Sequence, residues 1–321
     1  MIEKYYSGVI EQIYNRIGKE TRNIVMANYS NDFSIENLEV IRRYQSNEDN
    51  VFFAYSEFSY NTLVGAYEPF LDIICNMHRR FIGGSFDDFQ KECGVYYLHR
   101  QVLNSYYETG ECFREETVLL NEVAYEQRRM TMAIADMLKR LSEVRPLMIV
   151  INRFQMASKS SIETIKYLID NPCANIGIVL GVNAIVKGAD STVEVWDRIV
   201  ESLEDRSAIY YIGSAGPLKN NVKTTNDDAL YITMNFEQSI QEASNIMEFL
   251  DFEQARRGCR IIEHKLKFED AWIDEKSLRR FYMVYARTSV LLGEMSKAIE
   301  LTNEYKALIP ENDSEHYLSL Y

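Results

Sequence analysis

The stretch PLMIVINRFQMASKSSIETIKYLI, residues 146–169, decides the fold. It opens with the apolar run LMIVINRF (147–154), which is short and is typical of a strand buried on both faces. A polar turn leads into a helical pattern in which Ile162, Ile165 and Leu168 form one apolar stripe. A buried strand followed at once by an amphipathic helix is the repeating unit of a parallel sheet covered by helices, so the stretch predicts an α/β fold.

Four further apolar runs predict the rest of the sheet. They are NIVMA (23–27), VFFAYSEF (51–58), IGIVLGVN (176–183) and, as the last strand, either AIYYIGS (208–214) or ALYITMNF (229–236). The runs at 147–154 and 176–183 are the most apolar, so we expect them at the centre of the sheet.

Serine residues mark the expected starts of two helices, because a serine side chain can accept a hydrogen bond from the first turn. Ser34 precedes IENLEVIRRY, which places Ile35 and Ile41 on one apolar face. Ser160 or Ser161 is expected to begin the helix IETIKYLID.

Roughly 90 residues separate the second and third strand candidates, which is more than a simple crossover needs. They are rich in helical pattern, above all in EETVLLNEVAYEQRRMTMAIADMLKRLSEV (115–144). We therefore predict a helical insertion over about 66–145.

From about Phe236 the strand patterns stop and two pairs of amphipathic helices follow. The pairs are SIQEASNIMEFL with FEQARRGCRIIEHKLK, and EKSLRRFYMVYARTSVLLG with EMSKAIELTNEYKALIP. The sequence then ends in the apolar pattern SEHYLSLY, and we expect the helices to continue beyond Tyr321.

Small residues and a terminal proline recur in these pairs at the spacing of a tetratricopeptide hairpin, where they let two helices approach closely and end the second one. In the second pair they are Ala286, Gly293, Ala298 and Pro310. In the first pair Ala243 and Ala255 hold the same relative positions. The pattern predicts tetratricopeptide-like helical repeats over 237–321.

Composition and charge limit the partners. The chain has 321 residues, of which 46% are hydrophobic, so it can bury the cores of two domains. Its net charge of −13 makes nucleic acid and anionic membranes poor partners, since both would be repelled. We found no stretch with the pattern of a signal peptide or a membrane span and expect a cytoplasmic location.

The cysteines and histidines lack the short spacing of metal ligands or of a nucleophile with its base. They are Cys75, Cys93, Cys112, Cys173, Cys259, His78, His99, His264 and His316. We expect reduced, structural thiols, no metal, no cofactor and no catalytic residue.

The turn after the first strand has the length of a phosphate-binding P-loop but not its residues. A P-loop needs two glycines, a lysine for the terminal phosphates and a Ser or Thr for magnesium. In the eight-residue register 28–35 the glycine positions hold Asn28 and Phe33, the lysine position Ser34 and the hydroxyl position Ile35. The sequence therefore predicts a degenerate P-loop.

The stretch 146–169 resembles the strand, turn and helix around the acidic Walker B pair in STAND-type regulatory ATPases, which are related to AAA proteins. Gln155 and the small residue Ala157 keep the pattern of that turn. The resemblance places the acidic pair at Asn152 and Arg153, so both acids are replaced, and it places a polar sensor residue at Asn183.

The resemblance covers about residues 5–236 and implies a P-loop NTPase-like sheet in the parallel order 5-1-4-3-2. It implies a degenerate domain over 1–236, followed by the repeats. This layout is similar to the N-terminal region of some large bacterial signalling proteins whose output domains are diguanylate cyclases or LuxR-type regulators.

The resemblance implies a non-catalytic sensor or scaffold module, a pseudo-ATPase that binds a protein or peptide on its repeat face. Two alternatives stay open: a divergent NTPase that is active only with a partner in trans, and a plain interaction scaffold. Oligomeric state is open as well. Arg153 is either a cation for phosphate or a partly exposed member of an ion pair.

Overall fold

The computed structural model of the protein describes residues 2–29, 38–46, 50–59, 63–114, 118, 121–183, 193–213, 236–268 and 273–309. The strands are β1 (Ile24–Tyr29), β2 (Phe52–Glu57), β3 (Leu147–Asn152), β4 (Ile176–Asn183) and β5 (Ile209–Ile212). The first helices are α1 (Ile2–Arg16), α2 (Glu39–Ser46), α3 (Phe70–Met77), α4 (Phe86–Glu92), α5 (Tyr97–Thr109) and α6 (Val123–Val144). The others are α7 (Lys159–Asp170), α8 (Val193–Glu204), α9 (Phe236–Glu248), α10 (Phe252–Phe268), α11 (Glu275–Leu291) and α12 (Met295–Ala307).

The five strands form one sheet in which every neighbouring pair is parallel, so the predicted α/β class is confirmed. The strand order is β2-β3-β4-β1-β5, which reads 5-1-4-3-2 from the other edge. β3 and β4 are buried at every residue, as expected from their apolar sequences. The fifth strand comes from the first alternative, 208–214; of the second, 229–235 lie outside the described residues and Phe236 begins α9.

One face of the sheet packs against α1 and α2. Helix α1 lies over β4, β1 and β5, and its buried residues share a core with those of α2. The approach of α1 to β4 needs a small residue: a Cβ atom at Gly177 would lie 2.9 Å from two carbon atoms of Ile17. Gly177 therefore lets the end of α1 lie directly on the central strand.

The start of α7 differs from the prediction. The N-cap is Ser158, and not Ser160 or Ser161 as predicted. Ser158 has an extended backbone, and its hydroxyl accepts a hydrogen bond from Ser161 N at 3.4 Å. The Ser161 hydroxyl instead donates to Glu68 O at 2.7 Å. The predicted N-cap Ser34 lies outside the described residues.

The chain divides into two compact units. The first comprises 1–60, 67–100 and 128–225 and contains the sheet; the second comprises 61–66, 101–127 and 226–321. Residues 101–127 of the predicted insertion thus group with the C-terminal helices. The insertion itself is helical in α3 to α6, and α3 continues into a π-helical turn at His78–Ile82.

In the second unit, α9 packs on α10, α11 packs on α12, and α11 contacts both α9 and α10. Ala243, Ala255 and Ala298 are buried where helices meet, and Gly293 ends α11 with a φ of 78°, a backbone conformation that suits glycine. Pro310 lies outside the described residues. None of the described helices has the length and apolarity that a bilayer-spanning segment requires.

The segment Gly110–Arg114 is fixed to α9 within the second unit. The Asn245 side chain accepts a hydrogen bond from Cys112 N at 2.9 Å and donates one to Gly110 O at 3.0 Å. Arg114 Nη2 donates to Glu248 O at 2.9 Å. These contacts satisfy backbone groups that no regular element satisfies, so they stabilise the irregular segment.

All five cysteines are free thiols. Cys75, Cys112 and Cys259 are buried, and Cys93 and Cys173 are partly buried. Burial raises the pKa of Cys75 to about 12 and that of Cys93 to about 11. These two thiols stay protonated near neutral pH, which is typical of structural cysteines.

Candidate functional site

In open parallel sheets, ligands bind beyond the carboxyl ends of the strands, and this edge belongs to the first unit. The four longer strands end there at Tyr29, Glu57, Asn152 and Asn183. The edge therefore brings together three residues that the sequence singled out: Asn152 and Asn183 at strand ends, and Arg153 directly after β3. Asn28, the first residue of the register that the sequence predicts to be a degenerate P-loop, is the penultimate residue of β1 and is 1% exposed.

The other three predicted P-loop positions, Phe33, Ser34 and Ile35, lie outside the described residues. Of the register 28–35, the structure describes only Asn28 and Tyr29. Asn28 and Tyr29 continue strand β1 and pair with Val182 and Asn183 of β4. The first two residues of the register are therefore part of the sheet.

Tyr29 and Asn152 are joined by a hydrogen bond that crosses the central strand. The Tyr29 hydroxyl lies 2.6 Å from Asn152 Oδ1, and both groups are buried. Tyr29 ends β1 and Asn152 ends β3, and β4 lies between these two strands. Two strand spacings amount to about 9.5 Å, which the long tyrosine side chain spans together with the amide.

Gly181 of β4 makes room for this bond. A Cβ atom at Gly181 would lie 2.8 Å from Asn152 Oδ1 and would overlap the Tyr6 hydroxyl. Any other residue at this position would displace one of those groups. Gly181 thus leaves room for both Tyr6 of α1 and Asn152 of β3 beside the central strand.

Tyr6 completes the buried part of the edge. Its side chain is 0% exposed, and its ring contacts that of Tyr29 edge to face, with the centroids 6.3 Å apart. Burial raises the pKa of Tyr6 well above its usual value, and the nearby Tyr29, Tyr55 and Glu57 raise it further. The Tyr6 hydroxyl therefore remains protonated and can donate a hydrogen bond, but it cannot act as a base near neutral pH.

Arg153 forms an ion pair, as one of the two sequence-based alternatives expected. Its Nη1 atom lies 3.0 Å from Glu57 Oε1 and donates to Phe58 O at 3.4 Å. The other carboxylate oxygen of Glu57 accepts a hydrogen bond from the Tyr55 hydroxyl. Arg153 also has a φ of 54°, which is uncommon for a residue with a side chain. The ion pair and the backbone turn together direct Arg153 towards β2.

Asn183 is held through its backbone. Its N–H donates to Gln155 Oε1 at 3.2 Å, and both residues are buried. Gln155 belongs to the 3₁₀ turn Phe154–Met156 that follows Arg153. The glutamine noted in the sequence therefore ties the end of β4 to the turn after β3.

The carboxyl-edge network, defined as Tyr6, Tyr29, Glu57, Asn152 and Arg153, consists of an amide, two tyrosines and one ion pair. The amide of Asn152 does not titrate, and the charge of Arg153 is offset by Glu57. Within the described ranges, no group of three or more His, Cys, Asp or Glu side chains is placed to hold a metal ion. Tyr6, Tyr29 and Asn152 are fully buried, so these three residues make interior contacts, and the network as a whole presents no net charge to a phosphate.

Sequence reasoning missed Tyr6, Tyr29, Glu57 and Gly181. Tyr29 and Gly181 carried only a weak signal, as a tyrosine shortly after one apolar strand run and a glycine near the end of another. Tyr6 carried none, since its position above Gly181 depends on how α1 packs.

No protein-family model matches the chain, and no curated protein matches it significantly in sequence. Function is therefore inferred from the fold and from the carboxyl-edge network.

Proposed function

We propose that the chain is a non-catalytic sensor or scaffold module of a cytoplasmic bacterial signalling protein. In this proposal a degenerate P-loop NTPase-like domain is coupled to tetratricopeptide-like repeats and through them to an output domain. The observation that carries the proposal is the hydrogen bond between Tyr29 and Asn152. It joins the degenerate P-loop register to the position of the first Walker B acid.

The chemistry of that bond argues against ATP hydrolysis. A P-loop ATPase uses a carboxylate at the Walker B position to hold magnesium and orient water. Asn152 offers a neutral amide whose oxygen already accepts a hydrogen bond from Tyr29. Arg153, at the second acidic position, is paired with Glu57. Neither position supplies the negative charge that magnesium requires.

The backbone of the register also supports the proposal. A P-loop leaves the strand at its first glycine, so that successive N–H groups can surround the phosphates. Here Asn28 and Tyr29 remain in β1 and pair with β4. The two residues that would begin a phosphate-binding loop are therefore part of the sheet, where they pair with β4.

The second unit supplies the interaction surface in this proposal. Its four helices α9 to α12 pack as successive neighbours, as stacked helical hairpins do. Large apolar side chains are exposed on its last two helices, namely Met283, Val290, Met295 and Ile299. Exposed apolar residues on a helical array favour a protein or peptide partner.

Calorimetric titration with ATP, ADP and GTP, each with and without magnesium, tests the proposal. We expect no binding that depends on magnesium. Magnesium-dependent binding without hydrolysis would instead support a divergent NTPase that needs a partner in trans. ATP hydrolysis by the chain alone, at a rate lost in Asn152→Ala, would contradict the proposal.

A further inference from the structure

A cavity of about 470 Å³ lies beside strand β2, and the carboxyl-edge network does not account for it. All its lining residues belong to the first unit. Five consecutive residues of β2, Phe52 to Ser56, line it, together with one side of α3 and its π-helical continuation. Its volume lies within the range of small-ligand and peptide sites. We call this cavity the β2–α3 groove.

The groove follows the outer edge of β2. Successive side chains of a strand point to opposite faces, so a cavity lined by five consecutive residues reaches the strand's edge, and Ile149 of β3 shows that it also extends over the sheet beside that edge. Among the described strands β2 is at one end of the sheet, with β3 on its inner side. Phe52 N donates to Pro146 O, on the β3 side. Since backbone groups alternate in direction, those of Phe53 point away from β3, towards the groove.

The opposite wall carries polar side chains at regular intervals. Asp72, Asn76 and Arg80 line the groove, and all three are exposed. Asp72 and Asn76 are four residues apart in α3, and Arg80 follows four residues later in the π-helical turn. Arg80 lies in the π-helical turn, which has more residues per turn than an α-helix. The turn therefore sets which residue after Asn76 faces the groove.

Opposite charges mark the two ends of the groove. The backbone carbonyl oxygen of Glu68, at the acidic end, accepts a hydrogen bond from the Ser161 hydroxyl in the first turn of α7, which follows the carboxyl end of β3. Arg80, at the basic end, lies over the ring of Phe52, the first residue of β2, at 5.7 Å from the ring centroid. Glu68 and Asp72 therefore lie towards the carboxyl edge of the sheet, and Arg80 towards its amino edge.

The length of the groove limits the ligand. Four steps along β2 from Phe52 to Ser56 cover about 13 Å. The helical wall from Asp72 to Arg80 covers about 12 Å. An extended peptide advances about 3.3 Å per residue, so about four residues fill this length. A free amino acid separates its two charges by only about one residue length and would not reach both ends. A nucleotide would place phosphate near one end only and would meet two carboxylates at the other.

From this arrangement we propose that the β2–α3 groove binds an extended peptide segment of about four residues, with a basic group at the Glu68 and Asp72 end and an acidic group at the Arg80 end. The edge of β2 at Phe53 supplies backbone contacts, as in other proteins that add a peptide to a sheet edge. The charges of Glu68, Asp72 and Arg80 select the peptide and contribute a modest share of the affinity.

Titration of the full ¹⁵N-labelled chain with three acetylated and amidated tetrapeptides, followed by TROSY NMR, tests the proposal. The peptides are Lys-Val-Tyr-Glu, Lys-Val-Tyr-Lys and Glu-Val-Tyr-Glu. We expect saturable shifts at the amides of 52–56 and 72–80, with Lys-Val-Tyr-Glu binding about threefold more tightly than either like-charged peptide. Absence of saturable shifts with all three peptides, or shifts confined to other regions, would overturn the proposal.

A change of specificity gives the sharper test. Arg80→Glu makes both ends of the groove acidic, so the preference should move from Lys-Val-Tyr-Glu to Lys-Val-Tyr-Lys. Arg79→Glu is the matched control, because Arg79 is exposed in the same π turn but does not line the groove. An unchanged preference in Arg80→Glu, or an equal change in both variants, would contradict the proposal.

A third variant keeps the test valid if Arg80→Glu does not fold. Arg80→Gln removes only the charge, and we expect it to weaken Lys-Val-Tyr-Glu binding about threefold. Unchanged affinity in Arg80→Gln would also count against the proposal.

Discussion

Tyr29 Oη lies 2.6 Å from Asn152 Oδ1, so a residue at the end of β1 bonds to a residue at the end of β3 across the central strand β4. The bond ties the ends of these two strands together at the carboxyl edge of the sheet. It also links strands that are far apart in the sequence. Its removal should therefore affect stability.

Tyr29→Phe should lower the free energy of unfolding by about 1–3 kcal/mol, because it removes the donor from a buried amide oxygen. Urea unfolding followed by circular dichroism measures the change. Tyr210→Phe is the control: the Tyr210 hydroxyl donates to Gln12 at an exposed position, and its loss should cost at most about 0.5 kcal/mol. Equal costs for the two variants would show that the Tyr29 bond has no special role.

Gly181→Ala should lower the free energy of unfolding by about 1–3 kcal/mol, since the added methyl group overlaps the Tyr6 hydroxyl and crowds Asn152. Thermal or urea unfolding measures the loss. Adding Tyr6→Phe should restore part of the stability, because it removes the overlapping atom.

Gly8→Ala is the control, because Gly8 is a glycine at which an added methyl group meets no neighbouring atom. A Cβ atom there meets nothing within 4 Å, and Gly8 is exposed in α1. Alanine has a higher helix propensity than glycine, so the free energy of unfolding of this variant should rise by about 0.5–1 kcal/mol. A loss in Gly8→Ala as large as that in Gly181→Ala would contradict the proposed crowding.

Asn245→Ala should release the segment Gly110–Arg114 from α9, because the amide both accepts from Cys112 N and donates to Gly110 O. We expect faster hydrogen exchange at the Cys112 amide. We also expect the free energy of global unfolding to fall by about 1–3 kcal/mol. Asn303→Ala, at an exposed position of α12, should leave exchange at Cys112 unchanged. Unchanged exchange at Cys112 in Asn245→Ala would show that the segment is held by other contacts.

The contributions of Glu248 and Asp274 to the free energy of unfolding should change with pH in opposite directions. Burial raises the pKa of Glu248, against the lowering effect of Arg287 and Arg114. The folded protein thus binds the proton of Glu248 more tightly than the unfolded chain does. The contribution of Glu248 is present below its unfolded pKa, near 4.5, and is lost as pH rises through the raised folded value.

The Asp274 carboxylate caps α11 through a hydrogen bond from Ser277, which lowers the pKa of Asp274. Its contribution is present above the unfolded value of 3.8 and is lost as pH falls through the lowered folded value. Urea unfolding of Glu248→Gln and Asp274→Asn at pH values from 3 to 7 measures both effects. Relative to wild type, Glu248→Gln should become more stable as pH rises, and Asp274→Asn as pH falls; the same sign in both would contradict the assignment.

The strands and most helices follow from local sequence pattern. The apolar runs ending at 58, 154 and 183 contain β2, β3 and β4, because short runs this rich in apolar residues are stable as strands that pack against the core. The start of α7 was not predictable to the residue. Three serines lie between 158 and 161, and the one that caps the helix is decided by backbone conformation and by the bond from Ser161 to Glu68.

The candidate site was predictable only in part. The sequence placed Asn152, Arg153 and Asn183 at strand ends, since parallel strands share one carboxyl edge. Their partners Tyr29, Glu57 and Gln155 come from other elements, and a side-chain contact between elements depends on strand order and on the packing of α1. Periodicity contains no information about either.

The two glycines of β4 have a consequence for how the chain folds. Tyr6 of α1 and Ile17, which directly follows the helix, lie close to Gly181 and Gly177, far along the chain. During synthesis the first helix is made long before the strand that completes its surroundings. The contacts of α1 with β4 can therefore form only after β4 has been made, and their large sequence separation is of the kind that slows folding.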